Sequence, residues 1–255
     1  MYLCSIDIYM GLNNCNNMSL PRNIERCPII DALVEIRFET ALNPNAVFGL
    51  IYGALMNDYP GKVENLPILQ VPEAVRKNDP ALKFKPLYKI INKDITLQIG
   101  NDVLSISSSI PYIGWEAFQK HISKIISVIY RQKIINRVTR LGHRYVNFFD
   151  SNILDKVTMS FQMTEGYLPE NVQIITQVQD GDFKSTIQFS NAAIFNNLGI
   201  QKEGTIIDID TFRNYERNEF LENIVSEVNS AHIAEKKLFF SLLKPEFIKD
   251  LNPSY

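Results

Sequence analysis

Leu87-Tyr88-Lys89-Ile90-Ile91-Asn92-Lys93-Asp94-Ile95-Thr96-Leu97-Gln98-Ile99-Gly100-Asn101-Asp102-Val103-Leu104-Ser105-Ile106-Ser107-Ser108-Ser109 holds three short apolar runs separated by Asn92-Lys93-Asp94 and Gly100-Asn101-Asp102. Both triplets are turn formers, because Asn, Asp and Gly accept the backbone angles of a tight hairpin. Strands joined by such short turns lie side by side and antiparallel, since a parallel neighbour needs a crossover of a dozen or more residues. The stretch therefore reads as a meander, and the sheet around it as antiparallel or mixed.

Upstream, Ala32, Val34, Ile36 and Phe38 alternate with Leu33, Glu35, Arg37 and Glu39, the period of a strand with one buried face, which Pro28 starts. Asn43 then caps a helix with Pro44 at its first position and Val47, Leu50, Ile51, Ala54 and Leu55 as its apolar stripe, until Pro60-Gly61 stops it. Five prolines between 60 and 86 break every regular period and predict a loop with short pieces of structure. Downstream of the meander, Trp115, Phe118, Ile122, Ile125 and Ile129 step by three and four, the clearest amphipathic helix in the chain. A strand follows from Arg137 to Phe149. Further strands are predicted at 155–164, 171–180, 183–190 and 204–212, with Asp180-Gly181-Asp182 turning the middle pair into a hairpin. A long helix over 217–243 closes the chain on Leu221, Ile224, Val225, Val228, Ala231, Leu238 and Leu242, and Pro245 ends it.

This order has more hairpin joints than crossovers. It predicts an α+β fold: an antiparallel or mixed sheet, two or three amphipathic helices on one face, and a long C-terminal helix. Residues 1–17 read as a disordered extension and 18–255 as a single domain, with a boundary near 150–155 if the chain divides into two half-units.

With 255 residues, 45% hydrophobic and 21% charged, there is ample material for a core. The balance of 26 basic against 28 acidic residues excludes the strong positive charge of a dedicated nucleic-acid coat. The chain contains no run of about 18 uncharged apolar residues, so no membrane-spanning helix is expected. Met1 to Asn17 lacks a basic n-region and carries Asp7, unlike a secretory signal. Cys4, Cys15 and Cys27 fit neither a zinc knuckle nor a redox pair and read as free thiols of a cytoplasmic protein.

No phosphate-cradling glycine loop, nucleophile elbow or HExxH motif is present, and the three histidines, His121, His143 and His232, stand apart. No catalytic residue, cofactor or metal site is assigned from the sequence. Three features stand out instead. Ala117 to Phe149 holds seven Lys or Arg and no acid, and Lys120, Lys124, Arg131, Arg137 and Arg140 form a basic stripe suited to a protein partner or to phosphates; the same run also reads as a solvated face. In Gly142-His143-Arg144-Tyr145-Val146-Asn147, alternation puts His143, Tyr145 and Asn147 on one face and Gly142 and Arg144 on the other, an unusually polar strand whose Arg144 needs Glu35, Asp208 or Asp210 as a partner. Asp208 and Asp210 sit on one strand face about 6 to 7 Å apart by strand rise, a spacing open to a divalent cation or to ion pairs.

The Pro28 to Phe38 run, Trp115 with Phe118, the Gly142 to Asn147 strand, Ile207-Asp208-Ile209-Asp210 and Ala231-His232 with Phe239 together resemble a sporadically distributed family of uncharacterised bacterial and archaeal proteins of about 250 residues. Its hallmarks are a proline-led first strand and an Arg-Tyr-x-Asn strand, and the likeness covers residues 28 to 250. The resemblance implies the fold, brings no activity, and is compatible with a prokaryotic antiviral-defence or mobile-element setting. His143 departs from the apolar residue the family pattern implies before the Arg.

The leading expectation is a non-enzymatic, cytoplasmic accessory protein acting through a protein partner, with Glu35, Arg37, Arg144, Tyr145, Asn147, Asp208 and Asp210 as a polar cluster. One alternative is a nucleic-acid binder using the basic stripe. Another is a metal-dependent hydrolase or nuclease using Asp208, Asp210 and Arg144. A sheet curled around the last helix to enclose an apolar ligand is a weaker fourth reading. Residues 1–150 carry a net charge of +4 and 151–255 of −6, which suits homo-oligomer formation as well as neutralisation within one chain.

Overall fold

The alternation at 29–39 folds as its period demands. A computed structural model of the chain describes residues 20–160, 170–197, 199–216 and 223–255. After a two-residue strand β1 (Asn23–Ile24), the strand β2 spans Ile29–Glu39 and buries Ala32, Val34, Ile36 and Phe38 at 1% exposure or less. Helix α1 (Pro44–Leu55) starts with the Asn43 side chain accepting a hydrogen bond from the Asn45 N–H. Its buried stripe is Val47, Ile51 and Leu55; Leu50 is 46% exposed, because only the i, i+4 positions reach the sheet.

The proline-rich stretch forms an edge strand β3 (Lys62–Asn65), a single 3₁₀ turn and two short helices, α2 (Glu73–Asn78) and α3 (Pro80–Lys83). The meander follows as β4 (Tyr88–Ile91), β5 (Ile95–Ile99) and β6 (Val103–Ser108), then α4 (Trp115–Arg131) and β7 (Arg137–Phe149). In place of a strand at 155–164, residues 154–156 make a 3₁₀ turn and Val157 a single bridge to Leu243. That segment bonds to the backbone after the last long helix, through Thr158 N–H to Leu242 O and Lys244 N–H to Lys156 O, and so has no place in the sheet; 161–164 lie outside the described residues.

The remaining strands are β8 (Gln173–Asp180), β9 (Phe183–Asn197) and β10 (Ile200–Asn214). The last two are longer than their alternation suggests, because pairing resumes beyond a bulge at Gly204. Helices α5 (Ile224–Ser241) and α6 (Pro245–Asp250) and a short β11 (Pro253–Ser254), which pairs with β1, complete the fold. Residues 1–17, with Cys4 and Cys15, and positions 217–222 of the expected last helix, with Leu221, lie outside the described residues.

Nine strands form one antiparallel sheet in the order β3-β4-β5-β6-β2-β7-β10-β9-β8, so the fold is α+β as its hairpins require. Helices α1, α4 and α5 pack on the face that carries Val34, Ile36 and Leu141. Apolar side chains gather in two clusters, and α5 serves both, giving Ile224 and Val228 to one and Phe239 and Phe240 to the other. Val228, Ala231, Ile207 and Ile209 are fully buried, so side chains rather than a ligand fill the layer between α5 and the sheet.

The two adjacent helix positions separate burial from patterning. Ile51→Ala is expected to cost about 2 to 5 kcal/mol in urea unfolding, whereas Leu50→Ala should stay within about 0.5 kcal/mol.

Candidate functional site

Strand β7 runs between β2 and β10, so each of its side chains meets two neighbours. Towards the helices it presents Val138, Leu141, His143, Tyr145 and Asn147; towards the opposite, helix-free face it presents Arg140, Gly142 and Arg144. The alternation read from the sequence thus holds, and each face builds its own polar assembly.

On the helix-free face, Arg144 donates two hydrogen bonds to Asp208, at 2.7 and 2.6 Å, in the side-by-side geometry that suits a guanidinium and a carboxylate. Arg140 lies across Gly142, where a Cβ would stand 2.5 Å from its Nη1, and reaches Asp210 at 2.7 Å and Glu35 at 3.0 Å. Arg37 closes the chain of charges on Glu35 at 2.8 Å. Burial raises the Asp210 carboxyl above its ordinary range against the pull of Arg140, and raises Asp31 against that of Arg144. Asp208 and Asp210 therefore spend their oxygens on arginines, and among the described residues no group of three or more His, Cys, Asp or Glu is placed to hold a metal.

Beneath the sheet lies a cluster that sequence reasoning assembled only in part. Glu235 of α5 is fully buried; one carboxyl oxygen accepts the Tyr145 backbone N–H at 2.7 Å and the other shares a short hydrogen bond with His143 Nδ1. Burial drives His143 well below and Glu235 well above their ordinary values, so the pair keeps one proton between them. His143 Nε2 has no hydrogen-bond partner among the described residues. Tyr112 and Tyr145 bond through their hydroxyls at 2.8 Å, Tyr145 reaches His232 Nδ1 at 3.2 Å, and the Trp115 ring stacks on His232. Asn147 donates to the Ile207 carbonyl at 3.2 Å. His143 and Glu235 are fully buried, so their hydrogen bonds are closed off from solvent in this arrangement. The signal for Glu235 is present in the sequence: a 3–4 step from Val228 through Ala231 lands on it, a carboxylate on a core stripe.

The five residues of the basic stripe do not share a surface. Lys120, Lys124 and Arg131 are exposed on α4, while Arg137 and Arg140 belong to the sheet that α4 covers, with Arg140 pointing from its far face. Strand alternation separates them, because the charged positions of β7 alternate with the apolar ones that face α4. Lys124 pairs with Asp58 at 2.6 Å, Arg137 with Glu39, and Arg140 with Glu35 and Asp210. Of these five, only Lys120 and Arg131 form no ion pair among the described residues.

A second site lies where β7 stops. The β9–β10 pair continues past Phe149, leaving residues 193–197 and 199–204 as an arm, with Gly204 so close to the Phe149 carbonyl that a Cβ would stand 2.0 Å from it. Between this arm, the segment before β2 and α6 is a groove of about 750 Å³.

No family model and no curated protein matches the chain.

Arg140→Met strips Asp210 of its cation and leaves Glu35 with Arg37 alone; it is expected to destabilise by about 2 to 4 kcal/mol, with most of the loss recovered when Asp210→Leu is added. The pH dependence follows from His232, which burial and Lys236 push down to about 3. Unfolded, His232 gains a proton as the pH falls through 6.5; folded, it stays neutral, so acid favours unfolding. The His143–Glu235 pair is common to both proteins and drops out of the comparison, its lowered imidazole and raised carboxyl acting in opposite directions as the pH falls. Between pH 6 and 4.5 the wild type should lose stability more steeply than His232→Gln, by about 1.4 kcal/mol per pH unit, as read from denaturant titrations.

Proposed function

We propose that the protein is a non-enzymatic binding protein that acts through a protein partner, taking an extended segment of that partner along the edge of β8. The supporting observation is the contrast between the two edges of the sheet. At one end β3 is four residues long and carries Lys62 and Glu64, the short charged edge that blocks further pairing. At the other end β8, Gln173-Ile174-Ile175-Thr176-Gln177-Val178-Gln179-Asp180, runs for eight residues with no Lys, Arg, Pro or Gly and no charge before Asp180. No described strand covers its outer edge, and Ile175 is 66% exposed on the helix-free face.

Such an edge offers unpaired main-chain groups and a surface of Gln and β-branched side chains, which suits a neutral, β-branched peptide rather than a charged one. A strand added there would cover Ile175. The charges of β7, Asp208 and Asp210 satisfy one another, so neither a phosphate backbone nor a metal draws support from them. The cytoplasmic setting rests on cysteine usage, and a defence or mobile-element role on the family resemblance alone.

Ile175→Lys tests the edge directly. At an exposed position it should change stability by no more than about 0.5 kcal/mol. Recovery of the partner from nuclease-treated extract should nevertheless fall at least about tenfold, while Lys120→Glu with Arg131→Glu leaves it unchanged. Light scattering of the purified protein separates a second copy from a different partner. Recovery indifferent to Ile175→Lys would overturn the proposal.

A further inference from the structure

The groove at the end of β7 combines two chemistries that rarely meet without a ligand to use them. Aromatic surface comes from Phe148 and Phe195, whose rings lie 5.1 Å apart at 38° and are only half-buried. Ile200, 65% exposed, extends the same apolar wall. Positive charge comes from Arg26, Lys156, Lys202 and Lys249, against Asp150 and Asp250, in a protein whose overall charge is −2.

The cations are also available. Arg26 and Lys249 form no ion pair among the described residues, and Lys202 holds Asp150 only at 3.4 Å with both side chains more than half exposed, a pair of little energetic weight. Lys156 holds its ammonium over the Phe247 ring, 4.9 Å from its centre, a cation–π contact that places the charge at the groove without pairing it to a carboxylate.

A ligand that satisfies this lining needs a flat aromatic body, more than one negative charge, and donors for the two carboxylates. A lone anion leaves the rings unused, and an apolar ligand leaves the cations unused. We propose that the groove binds a nucleoside phosphate, with its base against Phe148 and Phe195, its phosphates among Arg26, Lys156 and Lys249, and its sugar hydroxyls or base amino groups within reach of Asp150 or Asp250. Base–aromatic stacking and lysine–phosphate contacts are the two contributions that hold single nucleotides and strand ends alike. The volume of about 750 Å³ lies within the range of small-ligand sites. The same chemistry is presented by a free nucleotide and by the phosphorylated end of a single strand, and this site is independent of the β8 edge.

The test titrates the full-length protein with ATP, with a ten-nucleotide single strand, with adenosine and with inorganic pyrophosphate, by calorimetry. ATP or the strand is expected to saturate, adenosine and pyrophosphate each to bind at least about tenfold more weakly, and affinity to fall with added salt. Tighter binding of the strand than of ATP assigns the source to nucleic acid; the reverse assigns it to a free nucleotide. Lys249→Glu should weaken binding at least about tenfold and Phe195→Ala at least about fivefold, with melting temperatures unchanged. Wild-type protein supplies a second readout that needs no substitution: Cys27 lines the groove as an exposed free thiol, so its alkylation, followed by peptide mass, should slow severalfold under saturating ligand. Absence of binding to ATP and the strand at about 1 mM, pyrophosphate binding as tightly as ATP, indifference to Lys249→Glu, or binding that leaves Cys27 unprotected would each overturn the proposal.

Discussion

A strand with a neighbour on each side and helices beneath it must satisfy every polar group it buries, and β7 is built around that constraint. Its helix side carries His143, Tyr145 and Asn147 where apolar residues would be simpler. Burying them costs several kcal/mol unless each finds a partner, and the partners come from far along the chain: Glu235 and His232 from α5, Tyr112 from the segment before α4, the Ile207 carbonyl from β10. An apolar core tolerates many packings of similar volume, whereas this arrangement admits one register of α5 on the sheet. Conformational specificity is the gain, and the orphaned Nε2 of His143 is its remaining cost.

The opposite face of the same strand answers the same constraint with charge. Arg140 and Arg144 each reach an acid of β10 diagonally across the strand pair, and Glu35 from β2 completes the set. A sheet face left without helices is thereby kept wet and unattractive to apolar surfaces over its centre. Ile175 on β8 and Ile194 and Ile200 on the hairpin arm, each about two-thirds exposed, lie away from that centre. Both proposed binding surfaces, the β8 edge and the groove, lie at the periphery of the sheet, away from this charged centre.

Much of this fold is legible in the sequence because it follows local rules. The meander is set by its turn triplets, β2 and β7 by alternation, and α4 by an unbroken 3–4 period. Elements that fail to follow the pattern do so for tertiary reasons: Leu50 continues a stripe that the sheet does not reach, and Val157 pairs with Leu243, a partner no local window contains. The site is legible where two charges share one strand face, as Asp208 and Asp210 do. Which acid Arg144 takes is not legible: the register sets it opposite Asp210, yet its side chain reaches diagonally to Asp208 and leaves Asp210 to Arg140. The basic stripe misleads because sequence neighbours at 131 and 140 lie on opposite sides of a sheet. The groove escapes linear reading altogether, since Arg26, Lys156, Lys202 and Lys249 come from four separate segments.

The Glu235 carboxylate also has a bearing on how the chain is made. His143 and the Tyr145 amide emerge from the ribosome some 90 residues before the side chain that satisfies them. At ordinary synthesis rates that gap lasts roughly 5 to 20 s. β10 follows only in the later part of that gap and Glu235 at its end; until then β7 has β2 beside it, and its polar groups resist burial under α4 alone. Premature closure of the core is discouraged, and a chain broken off ahead of residue 235 retains an exposed, unfinished strand that proteases and chaperones can recognise. The last long helix works as a certificate of completeness, issued only when translation has delivered it.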